Sequence, residues 1–373
     1  MANFRTIQTA LQLAIGTVLL ALVLRTFLVL GLVAPVQVAG SSMAPALRGP
    51  YVTATCPGCQ SSFEVGAEFA AETPFADCLH CGRQRVPLAG LAIRPSDRLW
   101  IDRTAFERRR PRRGEVVVAQ NPSDGSQLCV KRVVGLPGET VEIRQGDVWI
   151  DERPWVKTLA EQRVVRQLVH RDDEPITDDF AYNAGLSRSL NFVSDFMLST
   201  QLEVRGSGTI ALDLHDGRQT VRVTIEWPAG QVSTAADGEP LTAAILSETS
   251  RQRLARGPVL LELSNFDRQL LLAIDSRVEL RYPLGADASP PTGTARPFTV
   301  GATGQDTTLG ELTVYRDIYY CRQAVGVLPI AARLTLADDE YYLLGDNSPV
   351  SVDSRSWGGV PARWLLGKPV GVR

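Results

Sequence analysis

Cys129-Val130-Lys131-Arg132-Val133-Val134-Gly135-Leu136-Pro137-Gly138 is an apolar run that carries one lysine and closes on a Leu-Pro-Gly turn signal. The chain has 39 basic residues, yet its only lysines are Lys131, Lys157 and Lys368. Charge elsewhere is written as arginine. Lysine can lose its proton inside a protein, whereas a guanidinium effectively cannot. Lys131 therefore has two readings: a strand lysine snorkelling to the surface, or a titratable amine kept for chemistry. Histidine is scarce (His80, His170, His215), and none sits in a motif suited to a Ser-His-Asp site.

Two polar strings lie on either side of that run. Gly40-Ser41-Ser42-Met43-Ala44-Pro45 offers a hydroxyl beside glycine. Gly345-Asp346-Asn347 continues to Ser351, Asp353-Ser354-Arg355 and Trp357-Gly358 as a polar loop. The three strings together fit a hydrolase in which lysine activates a serine. With 373 residues the chain has room for two or three compact units. Its formal charge of −2 gives no global pointer to nucleic acid.

Between residues 7 and 24 there is no charge, and Arg25 is the only one between Arg5 and Arg48. Eighteen helical residues span roughly 27 Å, close to the hydrocarbon thickness of a bilayer. An uncleaved membrane anchor is expected, with an apolar tail over 26–38 at the membrane surface. A cleaved signal peptide is the rival reading, but its basic n-region would be Arg5 alone and no good small-x-small site precedes Gly40. Arg5 and Arg25 flank the span evenly, so charge barely sets its orientation.

Cys56-Pro57-Gly58-Cys59 and Cys78-Leu79-His80-Cys81 are two CxxC knuckles separated by eighteen residues. That spacing suits a zinc ribbon, in which Cys56, Cys59, Cys78 and Cys81 face one tetrahedral ion. Two disulfides are the alternative outside the cytoplasm. Four thiolates leave no open position, so a Zn²⁺ here would be structural, and His80 is a bystander. Cys129 and Cys321 stand apart.

With these residues in view, the chain resembles type I signal peptidases, the Ser-Lys endopeptidases that remove signal peptides from exported proteins. Ser42-Met43-Ala44-Pro45-Ala46-Leu47 resembles the first family box, with Ala46 where the family has threonine. Ser96 to Asp102 resembles the second. Pro111 to Val118 followed by Lys131 to Gly138 resembles the third, and Gly345 to Pro361 the last. Many relatives have arginine after the Gly-Asp-Asn; Ser348 stands there. The resemblance implies a mainly β fold, with a signal-peptidase-type antiparallel catalytic domain behind an N-terminal transmembrane helix. The expected organisation is an anchor (1–35), a catalytic domain in three parts (36–50, 91–158, 326–373), a zinc-ribbon-like insert (51–90) and a variable β-rich insert (159–325).

By position, the resemblance makes Ser42 the nucleophile, Lys131 its general base and Ser351 the serine that hydrogen-bonds and orients the lysine. Keeping lysine neutral near pH 7 requires a pKa about three units below 10.4, or roughly 4–5 kcal/mol. Desolvation on apolar walls can supply it, with Met43, Val133 and Val134 as contributors. Asp353 and Arg355 are expected to form an ion pair that holds the loop, a solvated surface pair being the alternative. The Ser42 amide is expected to meet the oxyanion. Gly40, in place of a family serine, leaves the second donor to backbone and allows close approach of an extended substrate. The implied partners are preproteins with small residues before the cut and the lipid bilayer, with no nucleic acid. The implied location is the cell membrane, single-pass, with the catalytic domain on the extracytoplasmic side. No cofactor is implied for catalysis.

The middle segment alternates as antiparallel strands do over 197–204, 209–214, 220–225, 259–263, 270–274 and 278–282. His215-Asp216-Gly217 and Ala236-Asp237-Gly238 supply turns, so a sandwich or jelly roll is expected, either architectural or partner-binding. Residues 283–297 read as a loop. Arg108-Arg109-Arg110-Pro111-Arg112-Arg113 reads as a solvated turn. Two other functions compete: a catalytically idle membrane protein that recruits partners, and a LexA-like Ser-Lys autoprotease, which would need an N-terminal DNA-binding helix-turn-helix.

Overall fold

The structure, a computed structural model, describes residues 2–26, 32–78, 81, 83–169, 176–178, 180, 191–285, 297–321 and 333–371. His80, His170 and most of the expected 283–297 loop lie outside the described residues. The fold is mainly β. One antiparallel sheet has the order Val33–Gln37, Arg98–Asp102, Leu365–Val370, Val116–Asn121, Asp124–Gly135, Glu340–Leu344, Val360–Pro361. Period-2 burial sets its faces: Leu99 and Ile101 are buried while Arg98 and Trp100 point out. Beside it, Arg153–Pro154, Asp147–Ile150, Thr140–Arg144 and Arg333–Thr335 form a second sheet.

The arginine-rich segment is more structured than a solvated turn. Arg109 grips Glu115 with two hydrogen bonds of 2.7 Å. Arg113 pairs with Glu139 at 2.5 Å and also donates to the Val134 carbonyl. Arg108, Arg110 and Arg112 remain exposed. Lys368 adds a second cation to Glu115 at 3.2 Å.

The four-cysteine segment forms two small hairpins, Tyr51–Thr55 with Ser62–Gly66 and Phe75–Ala76 with Val86–Pro87. Val52, Phe63, Val65, Val86 and Leu88 pack with Cys56 and Cys78 in one cluster. A short helix, Ala67–Glu72, lies against it through Phe69 and Ala70.

The large middle unit is a ten-stranded antiparallel sheet. The strands expected at 197–204 and 209–214 are one strand, Phe196–His215. Its register against Phe298–Leu309 shifts between Gly206 and Thr209, which accounts for the break in the sequence pattern. Apolar residues from both ends of the sheet, such as Val223 and Leu272, meet in one buried cluster, so the sheet wraps around its own core. Gln269–Ile274 is buried on both faces. Leu270, Leu272 and Ile274 enter that cluster, while Leu271 and Ala273 pack with Leu159, Met197 and Phe266.

Lys157 is buried where this unit meets the second sheet. Its ammonium contacts Asp267 and lies 2.7 Å from Asp317. Burial alone would favour the neutral amine, but the two carboxylates overcome it and keep Lys157 charged.

The N-terminal helix is Ala2–Arg25. Among the described residues no helix is long and apolar enough to cross a membrane. Asn3, Arg5, Thr6, Gln8, Thr9 and Gln12 occupy the first half of this helix. Leu13, Val18, Leu19, Leu20 and Val23 are all exposed. Of the expected apolar tail, residues 27–31 lie outside the described residues, and Val33–Gln37 is an edge strand paired with Arg98–Asp102.

Candidate active site

Ser42 and Lys131 meet although 89 positions separate them: the Lys131 Nζ donates to Ser42 Oγ at 2.8 Å. Lys131 sits on the strand Asp124–Gly135, opposite Val117, and is only 3% exposed. Burial pushes its pKa below the ordinary lysine value. Cys129, Asp353 and Asp346 oppose that shift and Arg355 adds to it. The snorkelling reading of Lys131 is thereby corrected, because its amine points inward.

Alternation along the strand splits the expected walls. Val133 belongs to a cluster with Val117 and Leu343, against which Cys129 and Trp357 pack. The Trp357 ring lies 6.0 Å from Nζ. Met43 is 1% exposed and packs with Val38, Leu99 and Val118. Val134 points the other way, into a cluster with Val141 and Tyr320, so it is no wall of the lysine.

Arg132, on the opposite face from Lys131, makes a bidentate pair with Asp346 at 2.8 and 2.5 Å and donates to the Gly114 carbonyl at 2.7 Å. Asp346 begins the loop that holds the backbone of Ser41 and Ser42. Asn347 donates its amide N–H to the Ser42 carbonyl at 3.0 Å and its side-chain Nδ2 to the Ser41 carbonyl at 3.1 Å. At Gly345 any Cβ would collide with the Ser351 side chain and the Ser42 carbonyl, so glycine is what lets this loop and Ser42 approach. Arg132, Asp346 and Asn347 stood in the quoted motifs without a role. Their signal was a charged pair and an amide in otherwise apolar surroundings.

Asp353 and Arg355 form a buried pair, 0% and 2% exposed, with contacts of 2.8 Å. This corrects the solvated alternative. Asp353 also accepts the Gly345 amide at 3.0 Å. Arg355 reaches the carbonyls of Cys321, Ser348 and Ser351 and the Ser348 hydroxyl at 2.8 Å. Ser348 thus serves as an acceptor for Arg355 where many relatives carry a charge.

Ser351 is completely buried, and its hydroxyl makes no hydrogen bond among the described residues. The expected bond to Lys131 is absent, because that amine is directed at Ser42. Gly40 is exposed with open space around it. Ser41 donates its amide to Glu68 Oε1 at 3.0 Å, a contact from the four-cysteine segment that sequence reasoning missed.

A cleft of about 590 Å³ opens over Ser42 and Lys131. Its sides include Val36 to Gly40 and Gln127 to Val130, segments from two different strands. Val33–Gln37 ends the sheet, and the strand bearing Lys131 pairs with Glu340–Leu344 only from Arg132 onward. The backbone on both sides of the cleft is therefore placed to pair with an extended peptide.

The four cysteine sulfurs lie within 4.8 Å of one another. Cys56–Cys81 and Cys59–Cys78 are each 3.7 Å apart. A disulfide needs about 2.05 Å, whereas tetrahedral ligands at about 2.3 Å from zinc lie about 3.8 Å apart. The residues fit a zinc ion. The Gly58 amide donates to Cys56 Sγ at 3.3 Å, as thiolate sites require. Cys129 and Cys321 are also free of disulfide bonds.

The family model for signal peptidase, peptidase S26, matches residues 91–194 and 304–372. Signal peptidase I of Leptolyngbya laminosa is 39% identical over 67 residues, covering 16% of this chain and 32% of that protein. The probable signal peptidase I-2 of Synechocystis sp. is 39% identical over 62 residues, 15% of this chain and 28% of that one. The chain spans about a third of the length of the curated relatives it matches. Among solved structures, a carbohydrate-binding module, CBM66, from Bacillus subtilis aligns with 40% of this chain and 82% of its own at 12% identity. Its TM-score is 0.19, too low to carry a functional argument. The matched family residues include Lys131 and Ser351 and exclude Ser42, which the 2.8 Å contact ties to Lys131.

Proposed function

We propose that the chain is a serine endopeptidase that cleaves signal peptides from exported preproteins, after small residues, with a Ser-Lys dyad. The observation that carries this reading is the 2.8 Å contact between a desolvated lysine amine and the Ser42 hydroxyl. Similarity to signal peptidase I supports the substrate class.

In this mechanism the neutral Lys131 takes the Ser42 proton as Oγ adds to the scissile carbonyl, then delivers it to the departing amine. Water attacks the acyl-enzyme, with the same amine as base. The Ser42 amide is the proposed oxyanion donor; the Ser41 amide is already taken by Glu68. Ser351, with an unsatisfied buried hydroxyl, is proposed to turn toward the lysine ammonium once the proton has moved. Arg132 and Arg355 act through the loops they hold. Substrate would lie extended between the two cleft edges. The exposed apolar residues of the N-terminal helix support contact with lipid. The four cysteines would hold a structural zinc ion, which supplies rigidity and no reacting group.

Ser42→Ala and Lys131→Arg are the deciding variants. Each is expected to lower cleavage of a labelled preprotein by at least about 10³-fold. Lys131→Arg keeps the positive charge and removes titratability. Parental activity in either variant would overturn the dyad.

A further inference from the structure

We propose that the four-cysteine module forms a wall of the peptide cleft and that Glu68 selects substrates with a basic side chain beside the scissile bond; this rests on the endopeptidase reading. Glu68 and Phe69, from the helix Ala67–Glu72, line the same cleft as Ser42 and Lys131. Phe69 also packs against the cluster that contains Cys56 and Cys78. The sulfur-bearing core is thus one side chain away from the substrate space.

Glu68 is exposed to that space. Its Oε1 accepts the amide of Ser41, the residue next to the nucleophile, at 3.0 Å. Its carboxylate lies over Gly66, where a Cβ would come within 2.7 Å of Oε2, so glycine leaves it room. Among the described residues no cation pairs with it, and the Ser41 contact is its sole hydrogen bond.

Among the described residues the only other formally charged side chain lining the cleft is Lys131, which the mechanism needs neutral. The remaining lining is apolar or uncharged, so Glu68 sets the sign of the cleft. A peptide that pairs with the cleft edges passes this carboxylate close to the bond being cut. Extended chain advances about 3.3 Å per residue, and a lysine or arginine stem covers about two such steps. The preferred basic residue therefore falls within about two positions of the cut. An acidic residue there meets like charge.

The test uses the full chain and quenched fluorescent peptides with alanine before the cut. Lysine, glutamine or glutamate is placed in turn at the position preceding that alanine and at each of the two positions after the cut. For the parent, kcat/KM is expected to favour lysine over glutamate by about threefold or more at one of these positions, with the preference shrinking in high salt. Glu68→Gln, which keeps an oxygen for the Ser41 amide, brings that ratio near one, and Glu68→Lys inverts it. Equal ratios in parent and Glu68→Gln overturn the assignment while leaving the peptidase reading intact. Should the parent cleave none of the peptides, the peptidase reading falls. The same labelled peptides are then titrated by anisotropy against Ser42→Ala and the Ser42→Ala, Glu68→Gln double variant. Tighter binding of the lysine peptide that disappears in the double variant supports Glu68; indistinguishable binding overturns it.

Discussion

At Lys131 two demands oppose each other. The proposed chemistry needs a neutral amine, and burial pushes toward it by disfavouring the charged form. Activity is therefore expected to rise with pH through a limb below the ordinary lysine range, since only the unprotonated amine can accept the Ser42 proton. A kcat/KM profile that stays flat between about pH 5 and 9 would remove Lys131 as base. The same burial has a linked effect on stability. The unfolded chain holds this proton more tightly than the folded one, so the penalty is full below the folded pKa and fades as pH rises toward about 10.5. Lys131→Met is accordingly expected to be inactive yet more resistant to urea at pH 7, with the gap closing toward pH 10. A destabilised Lys131→Met would mean that its hydrogen bond to Ser42 outweighs its desolvation. Arg132 presents the reverse case, a buried charge fully matched by Asp346. Removing one partner of such a pair costs about 3–5 kcal/mol. Asp346→Ala should lower the urea midpoint and reduce activity together, because the Asn347 contacts to Ser41 and Ser42 hang from that loop.

Among the elements, the turn that enters Val116–Asn121 is tied down through Glu115. Burial would raise the pKa of this carboxyl, but hydrogen bonds from Arg109, the Arg112 amide and Lys368 outweigh it and hold the pKa at about 2. A carboxyl depressed in this way stabilises the fold above its unfolded pKa near 4.5 and stops doing so as pH falls through about 2. Glu115→Gln is expected to melt earlier than the parent at pH 7, with the difference narrowing as pH drops from about 4.5 toward 2. A constant difference across that range would assign the effect to packing. The cysteine knuckles make a second element-scale prediction. Purified protein should carry one zinc per chain by elemental analysis; Cys59→Ser should lose it, and Ser42→Ala should keep it. Metal-free parent protein with two disulfides by mass spectrometry would restore the cross-link reading.

For the molecule as a whole, the second sheet and the ten-stranded unit are joined across a buried charge. Lys157 reaches Asp267 and Asp317 with almost no water contact. Lys157→Met would leave two carboxylates buried without their cation, a change worth about 3 kcal/mol or more. Faster limited proteolysis between the two units is the expected readout. Unchanged proteolysis would show that the carboxylates simply take up protons. The four-cysteine module has the opposite placement, at the cleft mouth, where its helix contacts the Ser41 amide and lines the cleft.

Much of this protein was legible in its sequence because the signals are local. Alternation at 220–225 and 259–263 fixed which side chains share a face, and the strands Thr220–Trp227 and Val259–Ser264 follow it. The CxxC spacing marked four cysteines whose sulfurs the structure brings within 4.8 Å of one another, since each knuckle needs only its own few residues. Scarcity of lysine marked Lys131 before any partner was visible. Only the tertiary structure decided what covers each face. Periodicity placed Lys131 and Arg132 on opposite sides of a strand, but the partners at 42 and 346 lie 89 and 214 positions away. Val134, expected beside the lysine, is assigned elsewhere by the same pleat. Glu68 reads as an ordinary helix glutamate until the module's packing brings it to Ser41. The physical reason is one of range: side-chain direction is set by neighbouring dihedrals, whereas desolvation and pairing depend on surfaces that the chain brings together only on folding.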